Sequence, residues 1–133
     1  MKKMNNKGFS LVELIIVIAI MAVLVGVLAP QFLKYVESSR VQKDESAAAE
    51  VLNATKIACS VEKVYNALPA TGTTVTAQDG QNVTSACTDL QNEILLTIPD
   101  KIEYTSKLHD NKTYTITVAI NASNGTVNVT GAW

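Results

Sequence analysis

The chain has 133 residues, of which 47% are hydrophobic and 17% charged, and its formal net charge is −1. This length allows one small domain, with about 100 residues left for a single core after an apolar amino-terminal segment is subtracted. The charge balance excludes a strongly basic surface, so nucleic acid is not indicated as a partner.

The chain opens with a short basic segment, because residues 1–8 contain three lysines and end at Gly8. The positive-inside tendency holds such a segment in the cytoplasm while the apolar residues behind it enter the bilayer, so the rest of the chain is expected outside. An ordinary secretory signal has its small-residue cleavage site after the apolar region. Here Gly8 precedes that region. A cut after Gly8 would leave the apolar segment attached, with Phe9 as the new amino terminus.

Residues 9–29 form an almost wholly apolar run that is interrupted only by Ser10 and Glu13. As a helix the run is about 31 Å long, which is enough to cross a hydrocarbon core. A carboxylate within the membrane is costly and usually has a partner. Glu13 is therefore either an interfacial residue, suited to a helix amino terminus, or the partner of a cation. The amine that cleavage creates at Phe9 lies four positions away on the same helical face.

These features together resemble the type IV pilin and pseudopilin family, whose signature is a basic leader, a glycine, a phenylalanine with a glutamate four residues later, and a long apolar helix. The match runs over residues 7–29. The resemblance implies that a prepilin peptidase cleaves after Gly8 and N-methylates Phe9, and that Glu13 pairs with the Phe9 amine of an adjacent copy. The implied partners are the membrane before assembly, further copies of the chain in a helical homopolymer, the peptidase, and the pilus assembly platform with its ATPase.

Gly26 and Pro30 weaken the predicted helix, because Pro30 has no N–H to donate to the Gly26 carbonyl. They mark either the end of the membrane span or a kink in a continuous helix. The family resemblance implies that this part of the helix is locally unwound inside filaments.

Beyond Pro30 the sequence becomes amphipathic, with apolar residues spaced alternately four and three apart. The stripe consists of Ala47, Val51, Ala54, Ala58, Val61, Tyr65 and Leu68, and Ile57 and Val64 widen it. Such a stripe needs a partner surface. Proline disfavours helical geometry in the residue before it, so Leu68 ends the helix. One long helix is predicted from about Phe9 to Leu68.

Two cysteines, Cys59 and Cys87, lie beyond the apolar segment, where an oxidising compartment would allow them to pair, and a disulfide between them is predicted. The alternative is a pair of buried free thiols. With the lone His109, which is expected in a solvated turn, they do not supply a compact ligand set, so no metal site is predicted.

The segment 69–100 is rich in Thr, Gly, Asn and Gln and is predicted to be a connecting loop, with a short helix around 88–95. After Pro99 the apolar period changes to two, which predicts three antiparallel strands. Their inward residues are Ile102 and Tyr104, then Tyr114, Ile116, Val118 and Ile120, then Val127 and Val129. Asn111 is predicted in the first turn and Asn124-Gly125 in the second.

The predicted fold class is α+β, with one long helix packed under an antiparallel sheet of three to four strands. The predicted organisation is a leader at 1–8, an assembly helix at 9–29 and a globular domain at 30–133. That domain contains the second half of the helix at 30–68, the connecting loop at 69–100 and the sheet at 101–133.

No catalytic set, nucleotide-binding glycine motif or cofactor site is visible, so an enzyme is not predicted. The favoured function is a type IV pilin that is cleaved in the cytoplasmic membrane and assembled into a surface filament for adhesion, motility or DNA uptake. A pseudopilin of a type II secretion or competence system shares the same amino-terminal signal and is the first alternative. A membrane-anchored binding domain that never polymerises is the second, and it would make Glu13 dispensable.

Overall fold

A computed structural model describes residues 8–109 and 112–133, and the predicted turn at Asn111 lies outside them. The described residues contain three helices and four strands. The helices are α1 (Leu11–Cys59), α2 (Glu62–Ala67) and α3 (Thr88–Thr97), and the strands are β1 (Thr73–Gln78), β2 (Thr84–Ser85), β3 (Thr113–Ile120) and β4 (Val127–Ala132). The chain divides into two compact units, and the boundary falls between Val36 and Glu37 within α1.

The amino-terminal unit contains the apolar part of α1. Its large apolar side chains are exposed, from 46% for Val17 to 91% for Phe9. Among the described residues, α1 is the helix that is long and apolar enough to cross a membrane. It continues without a break through Gly26 and Pro30. Local unwinding at these two residues inside a filament stays a prediction.

The long helix ends earlier than the sequence predicts, because α1 stops at Cys59 and a separate α2 follows. The N–H groups of Ser60 and Val61 bond to carbonyls three residues earlier, so the last turn is tighter than an α-helix. Val61 then has an extended backbone, with ψ of 125°. A single helix as far as Leu68 is therefore wrong. Leu68 does end α2 in an extended conformation before the proline, as predicted.

The four strands form one antiparallel sheet in the order β2-β1-β3-β4. β1 lies in the segment 69–100, which was predicted to be a loop, and it pairs with β3 so that Val75 lies opposite Ile116. The loop prediction is therefore wrong over β1 and β2, whereas α3 matches the short predicted helix. β3 and β4 are joined by the predicted turn, where Gly125 has a φ of +71° that suits glycine.

The first predicted strand, at Ile102 and Tyr104, is not a strand. Burial does alternate along this segment, because Ile102, Tyr104 and Ser106 are buried while the residues between them are exposed. Ile102 makes only an isolated bridge with Gln81. Beyond it lies the segment 103–109, here called the strap. The backbone N–H groups of its residues 104–107 bond to acidic side chains instead of a neighbouring strand.

One hydrophobic core fills the carboxy-terminal unit. It is built by one face of α1, by α3 and by the inner face of the sheet. Its members include Ala48, Val51, Ala54, Ala58, Val75, Leu90, Ile94, Ile116 and Val118. Ile57 was expected to widen the helical stripe, but its side chain is 61% exposed. The strands contain no Asp, Glu, Lys, Arg or His, and their outward positions are mostly threonine.

Candidate processing and assembly site

The predicted cleavage point lies in exposed backbone before α1. Gly8, Phe9 and Ser10 precede the helix and are exposed. A Cβ placed on Gly8 would meet no atom within 4 Å, so the fold does not require a glycine there. The glycine that the sequence places before the apolar segment is therefore not explained by packing within the chain, which leaves recognition by a processing enzyme as its predicted role.

Ser10 and Glu13 form a capping box at the start of α1. The Ser10 Oγ accepts a hydrogen bond from the Val12 N–H at 3.3 Å, and the Glu13 Oε2 accepts one from the Ser10 N–H at 2.8 Å. This reciprocal arrangement satisfies N–H groups that have no partner within the helix. The charge of Glu13 marks it in the sequence, but the capping role of Ser10 was not predicted, although Ser-x-x-Glu before an apolar run is the signal for such a cap.

The cap leaves the Glu13 carboxylate able to take a second partner. A carboxylate has two oxygens with about four lone-pair positions, and the Ser10 N–H uses one of them. Cleavage after Gly8 would create a cationic amine on the residue next to Ser10. Its pairing with Glu13, in the same chain or in a neighbouring copy, stays a prediction.

Cys59 and Cys87 are both buried thiols in the structure, which differs from the predicted disulfide. Burial, with a smaller contribution from Cys87, raises the pKa of Cys59 to about 11. Both side chains belong to the same hydrophobic core. The Cys87 Sγ also lies 3.7 Å from the carbonyl oxygen of Ala67, to which the thiol donates a weak hydrogen bond. Bond formation between the two cysteines stays a prediction.

The His109 ring is part of an aromatic cluster and is not solvated as expected, although its carbonyl accepts a turn-like hydrogen bond from the Lys112 N–H at 2.9 Å. Its ring stacks on Trp133, with centroids 3.6 Å apart and planes inclined by 14°. Tyr104 and Tyr114 also contact Trp133, at centroid distances of 4.8 and 5.1 Å. Within residues 8–109 and 112–133, no three His, Cys, Asp or Glu side chains are grouped so that they would hold a metal ion.

Residues 3–29 match the family model of the prokaryotic N-terminal methylation motif. The amino-terminal segment is a signal sequence of the type IV pilin and pseudopilin kind. The matched range includes Gly8, Phe9 and Glu13 and ends within α1. The signal supports a type IV pilin-like or pseudopilin-like protein, and the apolar helix fits membrane anchoring. Comparisons with curated proteins and with solved structures find no match.

Proposed function

We propose that this chain is the structural subunit of a type IV pilus and not an enzyme. The observation that supports the proposal most is that the methylation motif includes the start of a helix whose apolar side chains are exposed. A soluble protein would rarely expose so much contiguous apolar surface without a membrane or a protein partner to cover it.

In the proposed mechanism, the helix exchanges one apolar environment for another. The basic leader stays in the cytoplasm, the apolar part of α1 spans the membrane, and residues 37–133 lie outside. A prepilin peptidase cuts after Gly8 and methylates the amine of Phe9. The apolar surface of α1 then leaves the lipid and packs against other copies, so its burial is conserved during assembly.

The charge on Glu13 supplies the specificity that apolar packing lacks. In an apolar environment an unpaired carboxylate is costly, and the amine of Phe9 on an adjacent copy removes that cost. Head-to-tail contacts of this kind generate an open helical filament without closed symmetry. The proposed partners are therefore other copies of the chain, the peptidase, and the assembly platform with its ATPase. The filament would serve adhesion, motility or DNA uptake.

The test is the intact mass and the amino-terminal sequence of the protein in two fractions of the native cell, sheared surface filaments and membranes. A chain that starts at N-methylated Phe9 and is abundant in the sheared filaments supports a pilin. The same processed chain confined to the envelope supports a pseudopilin of a type II secretion or competence system. An uncleaved chain, or one that is cut after the apolar segment, overturns both. Gly8→Leu is the control that should abolish processing.

A further inference from the structure

Four consecutive backbone N–H groups of the strap bond to carboxylates from three places in the chain. Two of these carboxylates lie on α1 and the third lies in the turn after β1. The pairs are Tyr104 to Asp79 Oδ1 at 2.9 Å, Thr105 to Asp44 Oδ1 at 2.8 Å, Ser106 to Asp44 Oδ2 at 2.8 Å, and Lys107 to Glu37 Oε1. An extended segment normally satisfies such groups in a sheet, but here acidic side chains replace the neighbouring strand.

Asp44 is the central anchor, because it has no solvent exposure and both its oxygens accept bonds from the strap. The Thr105 hydroxyl adds a longer contact at 3.4 Å. Burial raises the pKa of Asp44, but hydrogen bonds from Ser106 and Thr105 lower it by more, so the net pKa lies below the ordinary 3.8. The carboxylate is therefore ionised at neutral pH.

The other charged groups around the strap are partly paired. Lys112 lies 3.2 Å from Asp79, and Arg40 lies 3.6 Å from Glu37. The bond from the Tyr104 N–H is the largest of the effects that lower the pKa of Asp79. Burial, with smaller effects from neighbours that include Asp44, raises the pKa of the Tyr104 hydroxyl, which stays neutral. Among the described residues, no cation forms an ion pair with Asp44, which depends on the strap for its partners.

We propose that the strap is a clasp held to α1 by the charge of Asp44, closed while that carboxylate is ionised and opened when it is protonated. A protonated carboxyl group has an O–H that donates where the ionised group only accepts. The protonated oxygen is neutral and accepts hydrogen bonds more weakly, so one strap N–H would lose its charged acceptor in a buried place. A buried N–H without an acceptor destabilises the closed state by more than the lost hydrogen bond had stabilised it. The strap would therefore leave α1 and expose Tyr104.

The pH range of opening follows from the direction of the shift. A carboxylate whose folded-state pKa is depressed contributes stability that is complete above the unfolded-state value. That contribution is lost as the pH falls through the lower, folded-state value. The clasp should therefore stay closed at neutral and mildly acidic pH and open below 3.8.

Trp133 reports the state of the clasp, because it is the only tryptophan of the chain and it packs on Tyr104 and His109 of the strap. The full chain in detergent micelles is titrated from neutral to strongly acidic pH, and tryptophan emission is compared with helical circular dichroism. We expect the emission to change below 3.8 while the helical signal remains. Emission that changes only together with loss of the helical signal would overturn the proposal.

Hydrogen exchange at neutral pH tests the role of the charge separately. In Asp44→Asn, exchange at Thr105 and Ser106 should be at least about tenfold faster than in the wild type, while β3 stays protected. Glu45→Gln is the matched control, because Glu45 is exposed on the same helix. Unchanged exchange in the strap, or equal acceleration in β3, would contradict a local clasp. If Asp44→Asn does not fold, the wild-type titration still decides the question.

Discussion

The Tyr65 hydroxyl in α2 donates a hydrogen bond of 2.8 Å to the carbonyl of Gly125, in the turn between β3 and β4. The turn itself is closed by the Gly125 N–H, which bonds to the Asn121 carbonyl at 2.8 Å. The short helix that follows the break at Ser60 is thus tied to the hairpin that carries the edge strand β4. This bond gives α2 a structural role that its length of one or two turns would not suggest.

Tyr65→Phe should lower the free energy of unfolding by about 0.5–1 kcal/mol, since it removes one hydrogen bond at a partly exposed site. Chemical denaturation of the full chain in detergent measures the change. Tyr35→Phe is the matched control, because Tyr35 is 74% exposed on α1. Equal stability of the two variants would show that the contact to Gly125 contributes nothing.

Gly131→Ala should destabilise the sheet, because the added methyl group would overlap the hydroxyl and ring of Tyr114. Overpacking of this kind costs about 1–3 kcal/mol. Since Tyr114 contacts Trp133, tryptophan emission should shift as well. Combining the change with Tyr114→Phe removes the nearest atom and should restore part of the stability. A double variant no more stable than Gly131→Ala would assign the loss to the backbone of Gly131.

Protein isolated from outside the cytoplasmic membrane should contain the disulfide between Cys59 and Cys87. The loop it closes has about 29 residues, which corresponds to roughly 3–4 kcal/mol of stability on the chain-entropy model. Thiol alkylation of the unfolded, unreduced protein followed by mass measurement should show neither cysteine modified. Reduction should lower stability, whereas the double Cys→Ser variant should not respond. Two alkylated thiols before reduction would establish the buried free thiols instead.

Glu13→Ala should leave cleavage and membrane insertion intact but deplete filaments, because the variant lacks the carboxylate that we propose pairs between copies. The amounts of processed chain in the sheared and membrane fractions measure this. Ser10→Ala is the informative control, since it removes the capping hydroxyl at a cost of about 1 kcal/mol and leaves the carboxylate in place. Normal filament yield from Glu13→Ala would refute the pairing, and equal depletion in both variants would point to the helix cap.

The sequence was sufficient where the pattern is local. The apolar run of α1 and the alternation of Tyr114, Ile116 and Val118 in β3 each indicate their structure without knowledge of the rest of the chain. Gly8 and Glu13 lie within the matched methylation motif, but their roles in cleavage and assembly, which depend on their order along the chain, stay predictions.

The elements that were missed depend on partners distant in sequence. β1 offers only Val75 and Ala77 as apolar inward residues among threonines, and it becomes a strand because β3 provides a pairing edge. The alternating burial around Tyr104 can be predicted from the sequence, but the hydrogen-bond acceptors of the backbone in this segment cannot. They are Asp44 and Asp79, which lie far away in the sequence and carry no local signal.

The absence of charged residues from the four strands sets how the protein responds to its medium. Dissolved salt screens the attraction between charges, so surface ion pairs such as Lys63 with Asp89 weaken at high ionic strength. The strands carry no charged side chains, and backbone hydrogen bonds and apolar packing hold them together. An increase in salt concentration should therefore weaken the contacts between helices while the sheet keeps its shape. The outward threonines would then present the same surface at low and at high ionic strength.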